Sequence, residues 1–409
     1  MEKKVEHYDV VIIGGGAAGL TAGIYCGRAR LNTLLIEKSL VGGLATYTNE
    51  IENYPGFPEG STGLELMELF HKQAKRFGVR FKLTDVRGVS LEGETKVVET
   101  FRTDYHAKVV IAASGGKPRL TGAKGEDEFL YDKGISFCAT CDAAANTDKT
   151  VLVVGSGDAA IEEGMFLTKF AKKVIVSVMH DEGKMDCNEI ARNEALQNPK
   201  MEFVWNTVVD EFKGAERLET VVLKNVKTGE LVTIPVDSCF LFIGYLPNTE
   251  IFKDQLEMNR AGYLLSNERM ETNIPGVFAA GDVRDKFLKQ VATAVGDGAI
   301  AGYSAEKYIA ESEVFENQIM GGEKAKLVYV YNAVDPKCRE ILPIMEDIEK
   351  RGQGKVEVVR IDTYKSGGLA RRLGAEGTPC AMVIRGGEKI RELSCDGLCC
   401  EDVLACIEE

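Results

Sequence analysis

A chain of 409 residues exceeds one ordinary domain and allows roughly two to four packed units. With 44% hydrophobic and 28% charged residues it has the composition of a globular protein, which excludes wholesale disorder or a fibrous repeat. A net charge of −13 argues against nucleic acid or an anionic membrane surface as partner and for small molecules or proteins. The early apolar stretch from Val10 to Ile24 is interrupted by glycines, and no export-type segment opens the chain, so a cytoplasmic location without a membrane span is expected. The 11 cysteines are then read as redox or metal chemistry before structural disulfides.

Tyr8 to Ile13 is an apolar, β-rich run. It is followed by Gly14-Gly15-Gly16-Ala17-Ala18-Gly19, a helical pattern, and a second strand, Asn32 to Ile36, that ends at Glu37. In this order Gly14 permits a tight turn and Gly16 lets the backbone approach a pyrophosphate. Gly19 packs helix on strand, and Glu37 stands where an acid accepts hydrogen bonds from a ribose. Without the flanking strands and the acid, the same glycines would read as a packing turn. Asp104 to Ala113 is a further strand, leading into a crossover loop over 114–119.

Cys138-Ala139-Thr140-Cys141-Asp142 comes next, at the start of an alanine-rich helical segment. Two thiols at this spacing on a helix N-terminus can close a disulfide, with the helix amides favouring a thiolate. The adjacent carboxylate of Asp142 can carry a proton to or from a departing thiol. Half of a zinc site is the competing reading; it needs a second pair of ligands, for which only Cys187 and His180 are near.

The strand–turn–helix–strand arrangement then recurs. Strand Thr150 to Val154, the turn Gly155-Ser156-Gly157-Asp158-Ala159-Ala160, a helix over 161–170 and strand Val174 to Val178 form a second dinucleotide unit, with Gly155, Gly157 and Ala160 at its motif positions. Two such units in one chain point to hydride passage between cofactors, commonly nicotinamide to flavin. Phe240 to Ile243 leads into a second crossover over 244–249. Strand Val277 to Ala280 ends in Gly281-Asp282, before a small-residue helix over 291–310. Asp282 offers either a carboxylate to a cofactor or a helix cap.

A polar, glycine-containing stretch over 311–325 reads as a linker. Beyond it the order is strand 327–331, helix 337–350, strand 356–361, helix 368–373, Gly377-Thr378-Pro379, strand 381–385, a Gly386-Gly387 turn, strand 389–393 and helix 401–407. This βαβαββα order is thioredoxin-like. Cys26 and Cys239 read as packing residues, Cys187 is undecided, and the charges over 340–350 read as a solvated helix face.

Residues 8 to about 310 resemble the low-molecular-weight thioredoxin reductases. The resemblance rests on GGGAAG at Gly14, IENYPGF over 51–57, CATCD at Cys138, FIGYLPNT at Phe242, PGVFAAGDV over 275–283 and KQVATAVGDG at Lys289. It implies that the first and third segments together bind FAD, with Glu37, Gly43, Asn53, Asp282 and Gln290 as contacts, and that the segment between them is a pyridine-nucleotide domain. It further implies that Cys141 faces the flavin while Cys138 attacks the substrate disulfide, and that the protein is a homodimer.

In that family an HRRxxxR run supplies arginines for the 2′-phosphate of NADPH. Here residues 178–184 read Val-Met-His-Asp-Glu-Gly-Lys, so the strand-end arginines are gone and Lys184 is the one cation kept. This argues against NADPH and leaves NADH or reduced ferredoxin as donors, while the retained GxGxxA turn weighs against complete loss of nucleotide binding.

Residues 325–409 resemble thioredoxin, with Asp335-Pro336-Lys337-Cys338 where that family has Cys-x-x-Cys. Aspartate thus holds the place of the attacking thiol. Thr378-Pro379 matches the family's cis-proline loop. Cys338, Cys380 and Cys395 are expected to converge as a rebuilt redox pair fed from Cys138. A second reading adds Cys399 or Cys400 and makes a metal or iron–sulfur site in a redox-sensing or electron-carrier protein; a third leaves the cysteines as buried apolar residues.

The expected fold is therefore α/β, with two Rossmann-like, three-layer ββα nucleotide-binding domains and a thioredoxin-like βαβαββα domain. The expected boundaries are 1–117 and 245–312 for the FAD-binding domain, 118–244 for the pyridine-nucleotide-type domain with the redox motif, 313–325 for a linker and 326–409 for the last domain. The expected function is flavin-dependent reduction of a protein disulfide, through the protein's own thioredoxin-like domain.

Overall fold

The structure is a computed structural model that describes residues 3–47, 51–130, 133–352, 355–375, 377–395, 398 and 400–408. It divides into two compact units, Met1–Tyr303 and Ser304–Glu409.

The larger unit holds two parallel-centred sheets. The first runs in the order Arg80–Leu83, Thr33–Glu37, Lys4–Ile13, Thr103–Ala112, Lys96–Thr100, Val86–Ser90, with Val277–Ala279 also pairing with Thr103–Ala112. Strand Lys4–Ile13 lies parallel to both neighbours, with Val10 opposite Thr33 and Val109. Val10, Val11 and Ile12 are fully buried because both faces of this sheet are covered, which explains a continuous apolar run rather than an alternating one.

The second sheet runs Met201–Trp205, Lys173–Val178, Thr150–Val154, Ser238–Leu241, Ile135–Ser136, all parallel. An antiparallel layer, Thr207–Gly214, Leu218–Asn225, Leu231–Pro235, covers one face of it. This is the ββα layering expected of Rossmann-like units. The chain passes between the sheets on a two-stranded ribbon in which Gly116–Pro118 pairs with Tyr245–Pro247. Ser114 and Asn248 exchange side-chain to backbone hydrogen bonds of 2.7 and 2.9 Å and fasten the ribbon's end.

In the smaller unit the sheet order is Val356–Asp362, Ala325–Tyr331, Cys380–Arg385, Glu388–Leu393, with helices Pro336–Arg351, Gly367–Arg372 and Cys400–Glu408. The order βαβαββα is as expected, and the Thr378–Pro379 bond is cis. One sheet face packs Leu327, Tyr329, Ala381 and Val383 against Ile341, Met345 and Ile348. The opposite face packs Val328, Val330, Cys380 and Met382 against Ile319 and Leu369.

The linker expected over 311–325 is a correction. Helix Val291–Val314 runs four residues past its expected end, and Phe315–Met320 follow as a π-helical turn. Val314, Phe315, Ile319 and Met320 pack into the core of the smaller unit, an apolar set that the surrounding Glu, Asn and Gly residues concealed.

Candidate active site

A cavity of about 810 Å³ in the larger unit joins the first glycine turn to the redox motif. Gly14 has φ +108°, and a Cβ there would lie 2.2 Å from the Ala113 carbonyl oxygen; at Gly19 it would lie 1.9 Å from the Gly14 oxygen. Both positions therefore exclude any side chain. A Cβ on Gly16 would meet nothing nearer than the Gly42 oxygen at 3.9 Å, so the backbone is open to a ligand there. Gly43, at φ +63°, lies against Gly16.

Helix Ala17–Arg28 begins without a side-chain cap or an acid in its first turn, which leaves its amides for an anion. Glu37 holds the loop shut: its Oε2 accepts from Gly15 N at 2.7 Å and its Oε1 from Lys38 N and Ser39 N at 2.7 and 3.1 Å.

Across the cavity Asp282 presents a buried Oδ1 with no hydrogen-bond partner. Burial pushes its carboxyl up, and the Lys286 ammonium, 3.6 Å from that oxygen, partly opposes the shift. Lys286 is held in turn by Asp297 at 3.1 Å, as is Arg284 at 3.2 Å, and Asp297 also accepts from Gly281 N at 3.0 Å. A cavity-lining carboxylate with one oxygen lacking a hydrogen-bond partner, beside an open helix start, fits a hydroxyl-bearing dinucleotide such as FAD. Asn53 Nδ2 donates to Gln290 Oε1 at 3.1 Å, and Gln290 Nε2 reaches Cys138 Sγ at 3.9 Å.

Cys138 and Cys141 form a disulfide on the short helix Ala139–Asp142, whose N-cap is Cys138. Asp142 Oδ2 accepts from Ser136 Oγ at 2.5 Å, and Ser136 Oγ accepts from Cys138 N at 3.2 Å. Glu163, on helix Asp158–Leu167, also lines the cavity. Burial first, and Glu162 second, push its carboxyl up against a backbone hydrogen bond from Thr140, and its Oε2 is buried without a partner. Sequence reasoning missed Ser136, Glu163, Lys286 and Asp297. A charged residue inside a small-residue helix is the one signal that Glu163 and Asp297 carry; Ser136, on a two-residue edge strand, and Lys286, in a loop, carry none.

The second turn is built as the first, with Gly155 at φ +132° against the Phe242 oxygen, Gly157 open and Ala160 fully buried. The loop after strand Lys173–Val178 is laced onto it. Asp186 Oδ2 accepts from Ser156 Oγ at 2.9 Å and lies 2.8 Å from His180 Nε2, while Asp158 Oδ1 accepts from Asn188 N at 2.7 Å. Lys184, the retained cation, sits 3.7 Å from Asp181, which also pairs with Lys227. Met179 is exposed.

In the smaller unit Asp335 caps helix Pro336–Arg351 by accepting from Lys337 N at 2.9 Å. Cys338 is fully buried, its Sγ accepting from Asn332 N at 3.3 Å, and Tyr329 Oη donates to the Cys338 carbonyl at 2.9 Å. The expected convergence of Cys338, Cys380 and Cys395 is corrected for Cys380; burial first, and then Cys338 and Cys395, which both lie close to Tyr329, push its phenol up. Cys395 packs with the core under helix Pro336–Arg351, whereas Cys380 belongs to the opposite sheet face, because alternate residues of a strand point to opposite sides. Cys338 and Cys380 are free thiols. Burial and the Glu392 carboxylate push the Cys380 thiol up to about 11, so it is no ready nucleophile. Among the described residues no three His, Cys, Asp or Glu side chains are grouped to hold a metal; Cys399 lies outside the described residues. Also among the described residues, no helix is long and apolar enough to cross a membrane.

Residues 8–298 match the family profile described as pyridine nucleotide-disulphide oxidoreductase, and residues 306–404 match thioredoxin. The chain is 44% identical over 308 residues to a thioredoxin reductase of Peptoclostridium acidaminophilum, covering 74% of this chain and 97% of that protein. It is 42% identical over 311 residues to a thioredoxin reductase of Bacillus subtilis, covering 76% and 96%. The crystal structure of a thioredoxin reductase from Streptococcus pyogenes superposes with a TM-score of 0.70 at 39% identity, covering 74% of this chain and 98% of that one.

Proposed function

Because the chain belongs to the pyridine nucleotide-disulphide oxidoreductases, as a thioredoxin-reductase-like flavin disulfide oxidoreductase with a C-terminal thioredoxin domain, we propose that it reduces the disulfide of a separate thioredoxin-type protein through Cys138 and Cys141. The family uses FAD and NAD(P)H. The observation that carries the reading is the shared cavity, which places the Cys138–Cys141 disulfide among Gly14, Gly16, Glu37, Asp282 and Gln290.

FAD, when bound there, would supply the two electrons needed to open the disulfide. The helix start after Gly16 would hold its pyrophosphate, Glu37 its ribose and Asp282 its hydroxyl chain, while Asn53 and Gln290 would lie beside its reactive end. Once reduced, the Cys138 thiolate attacks a sulfur of the substrate disulfide. The substrate S–S bond breaks, and its leaving thiolate takes a proton held by Asp142. Cys141 then attacks Cys138 Sγ, which closes the Cys138–Cys141 bond and expels the second substrate thiolate. The substrate gains two electrons and two protons, and the pair loses the same.

The thioredoxin-like domain is the other candidate acceptor. Its geometry favours an external exit: Asp335 replaces the attacking thiol, Cys338 is buried and Cys380 is held protonated on the far face. With Lys184 engaged by Asp181 and no strand-end arginine, NADH is the proposed donor over NADPH, and reduced ferredoxin is the alternative. By kinship a cytoplasmic homodimer is the proposed state.

Anaerobic addition of NADH, NADPH and reduced ferredoxin in parallel tests the donor. Flavin bleaching should be followed by two new thiols, mapped by mass spectrometry to Cys138 and Cys141. A folded protein that takes up no FAD refutes the proposal. With Cys141→Ser, a mixed disulfide should trap an added oxidised thioredoxin on Cys138. A bond from Cys138 to Cys338 or Cys380 instead would assign the exit to the chain's own domain.

A further inference from the structure

We propose that Ser136 is a positioning residue that acts through Asp142: its hydroxyl fixes the proton-carrying carboxylate to the backbone of the redox pair. The inference rests on the reading of Asp142 given above and adds a residue to it.

Ser136 closes the edge strand Ile135–Ser136, which pairs in parallel with Cys239 and Phe240, so its backbone is set by the second sheet. Its side chain is buried, 9% exposed, and lines the cavity. A serine hydroxyl has one proton to give and lone pairs to accept with. The proton goes to Asp142 Oδ2 at 2.5 Å, the approach to the Cys138 carbonyl at 3.4 Å being longer. A lone pair takes the Cys138 N–H at 3.2 Å.

The Cys138 side chain makes no capping hydrogen bond on helix Ala139–Asp142, so Ser136 supplies the contact that holds the extended backbone there. The two bonds together lock the carboxylate, the N-cap residue and hence the disulfide into one frame. Asn146 Nδ2, held by Ser238, fixes the Asp142 carbonyl at 2.8 Å from the other side.

A hydrogen bond donated to a carboxylate favours its ionised form, so loss of the hydroxyl makes Asp142 easier to protonate. The other ionisable groups that the second-sheet half brings to this cavity are Lys149, Glu163, Arg217 and Asp237; Glu37, Tyr47, Glu52, Asp282 and Lys289 line it from the first-sheet half, and Lys117 and Tyr245 from the ribbon. A double-mutant cycle removes their contribution, because they are unchanged in all four proteins.

The test uses the full-length holoprotein, reduced with dithionite and reoxidised by an added oxidised thioredoxin, whose leaving cysteine thiolate needs the proton, between pH 5 and pH 9. Four forms are compared: unaltered, Ser136→Ala, Asp142→Asn and the double variant. The limb of the rate profile that Asp142→Asn abolishes should move up by about one pH unit in Ser136→Ala, with the rate at its plateau lowered severalfold. In the Asp142→Asn background the alanine should change neither. An equal effect of Ser136→Ala in both backgrounds, or an unmoved profile beside a normal Asp142→Asn effect, overturns the role of Ser136 alone. A pH profile that Asp142→Asn leaves intact overturns the reading of Asp142 as proton carrier.

Discussion

Gln290 and Cys138 stand 152 residues apart in the chain, yet Nε2 of the first lies 3.9 Å from Sγ of the second. A residue from the segment that returns to the first sheet thus touches the disulfide carried by the second. Gln290→Leu should keep its flavin, since the glycine turn, Glu37 and Asp282 are untouched. Electron transfer from flavin to disulfide should slow about tenfold, the worth of one hydrogen bond. Rapid-scanning absorbance after a single reductant pulse reads both; an unchanged rate removes Gln290 from the site.

The two glycine turns should respond differently to a methyl group. Gly14→Ala drives a Cβ to 2.2 Å from a carbonyl oxygen at φ +108°, so the holoprotein should lose at least about 2 kcal/mol and much of its flavin. Gly157→Ala meets nothing within 4 Å in the protein itself, so stability should hold while KM for the nicotinamide donor rises. Thermal melts paired with steady-state kinetics separate the two outcomes, and equal destabilisation by both would contradict the geometry.

Donor preference follows from the second strand end. NADPH should reduce the protein no better than NADH, and Met179→Arg with His180→Arg should raise the NADPH to NADH rate ratio tenfold or more, at about 1.5 to 3 kcal/mol for each charge-assisted contact. Indifference of the double variant to the 2′-phosphate would place that end of the nucleotide elsewhere.

Cys380 should be a slow thiol. With its pKa pushed up to about 11, roughly one molecule in a thousand carries the thiolate at pH 8. Alkylation of the native protein by iodoacetamide should lag an exposed cysteine about a hundredfold or more. The raised pKa means that burial of the neutral thiol stabilises the fold fully below the ordinary thiol range, and that this contribution is lost as pH climbs toward 11. Glu392→Gln removes the carboxylate contribution and should speed labelling severalfold; fast labelling of the native protein at pH 8 would contradict the burial.

Much of this was legible in the chain. Glycine turns between apolar runs report backbone constraints that no other residue satisfies, so Gly14, Gly19 and Gly155 could be located before their carbonyl neighbours were known. The Cys138–Cys141 spacing likewise carries its own chemistry. The reading failed where a side chain's partner comes from a distant segment. The face on which Cys380 lies depends on strand register, which the order of elements leaves undetermined. The polar stretch over 311–325 hid Phe315 and Ile319, because composition averages away a few core contacts. Ser136 carried no signal, since its meaning lies in two bonds made only once the second sheet has formed.

The charges at the two nucleotide turns differ in wetness. Arg284, Lys286 and Asp297 behind the first keep side-chain exposures of 14, 9 and 11%, whereas Lys184, Lys227 and Asp181 beside the second keep 75, 59 and 41%. Mobile ions screen the second group within about 10 Å at 0.1 M salt and scarcely enter the first. Ionic strength is therefore a lever on one end of the electron path only: added salt loosens the docking of an anionic donor while the prosthetic group stays seated.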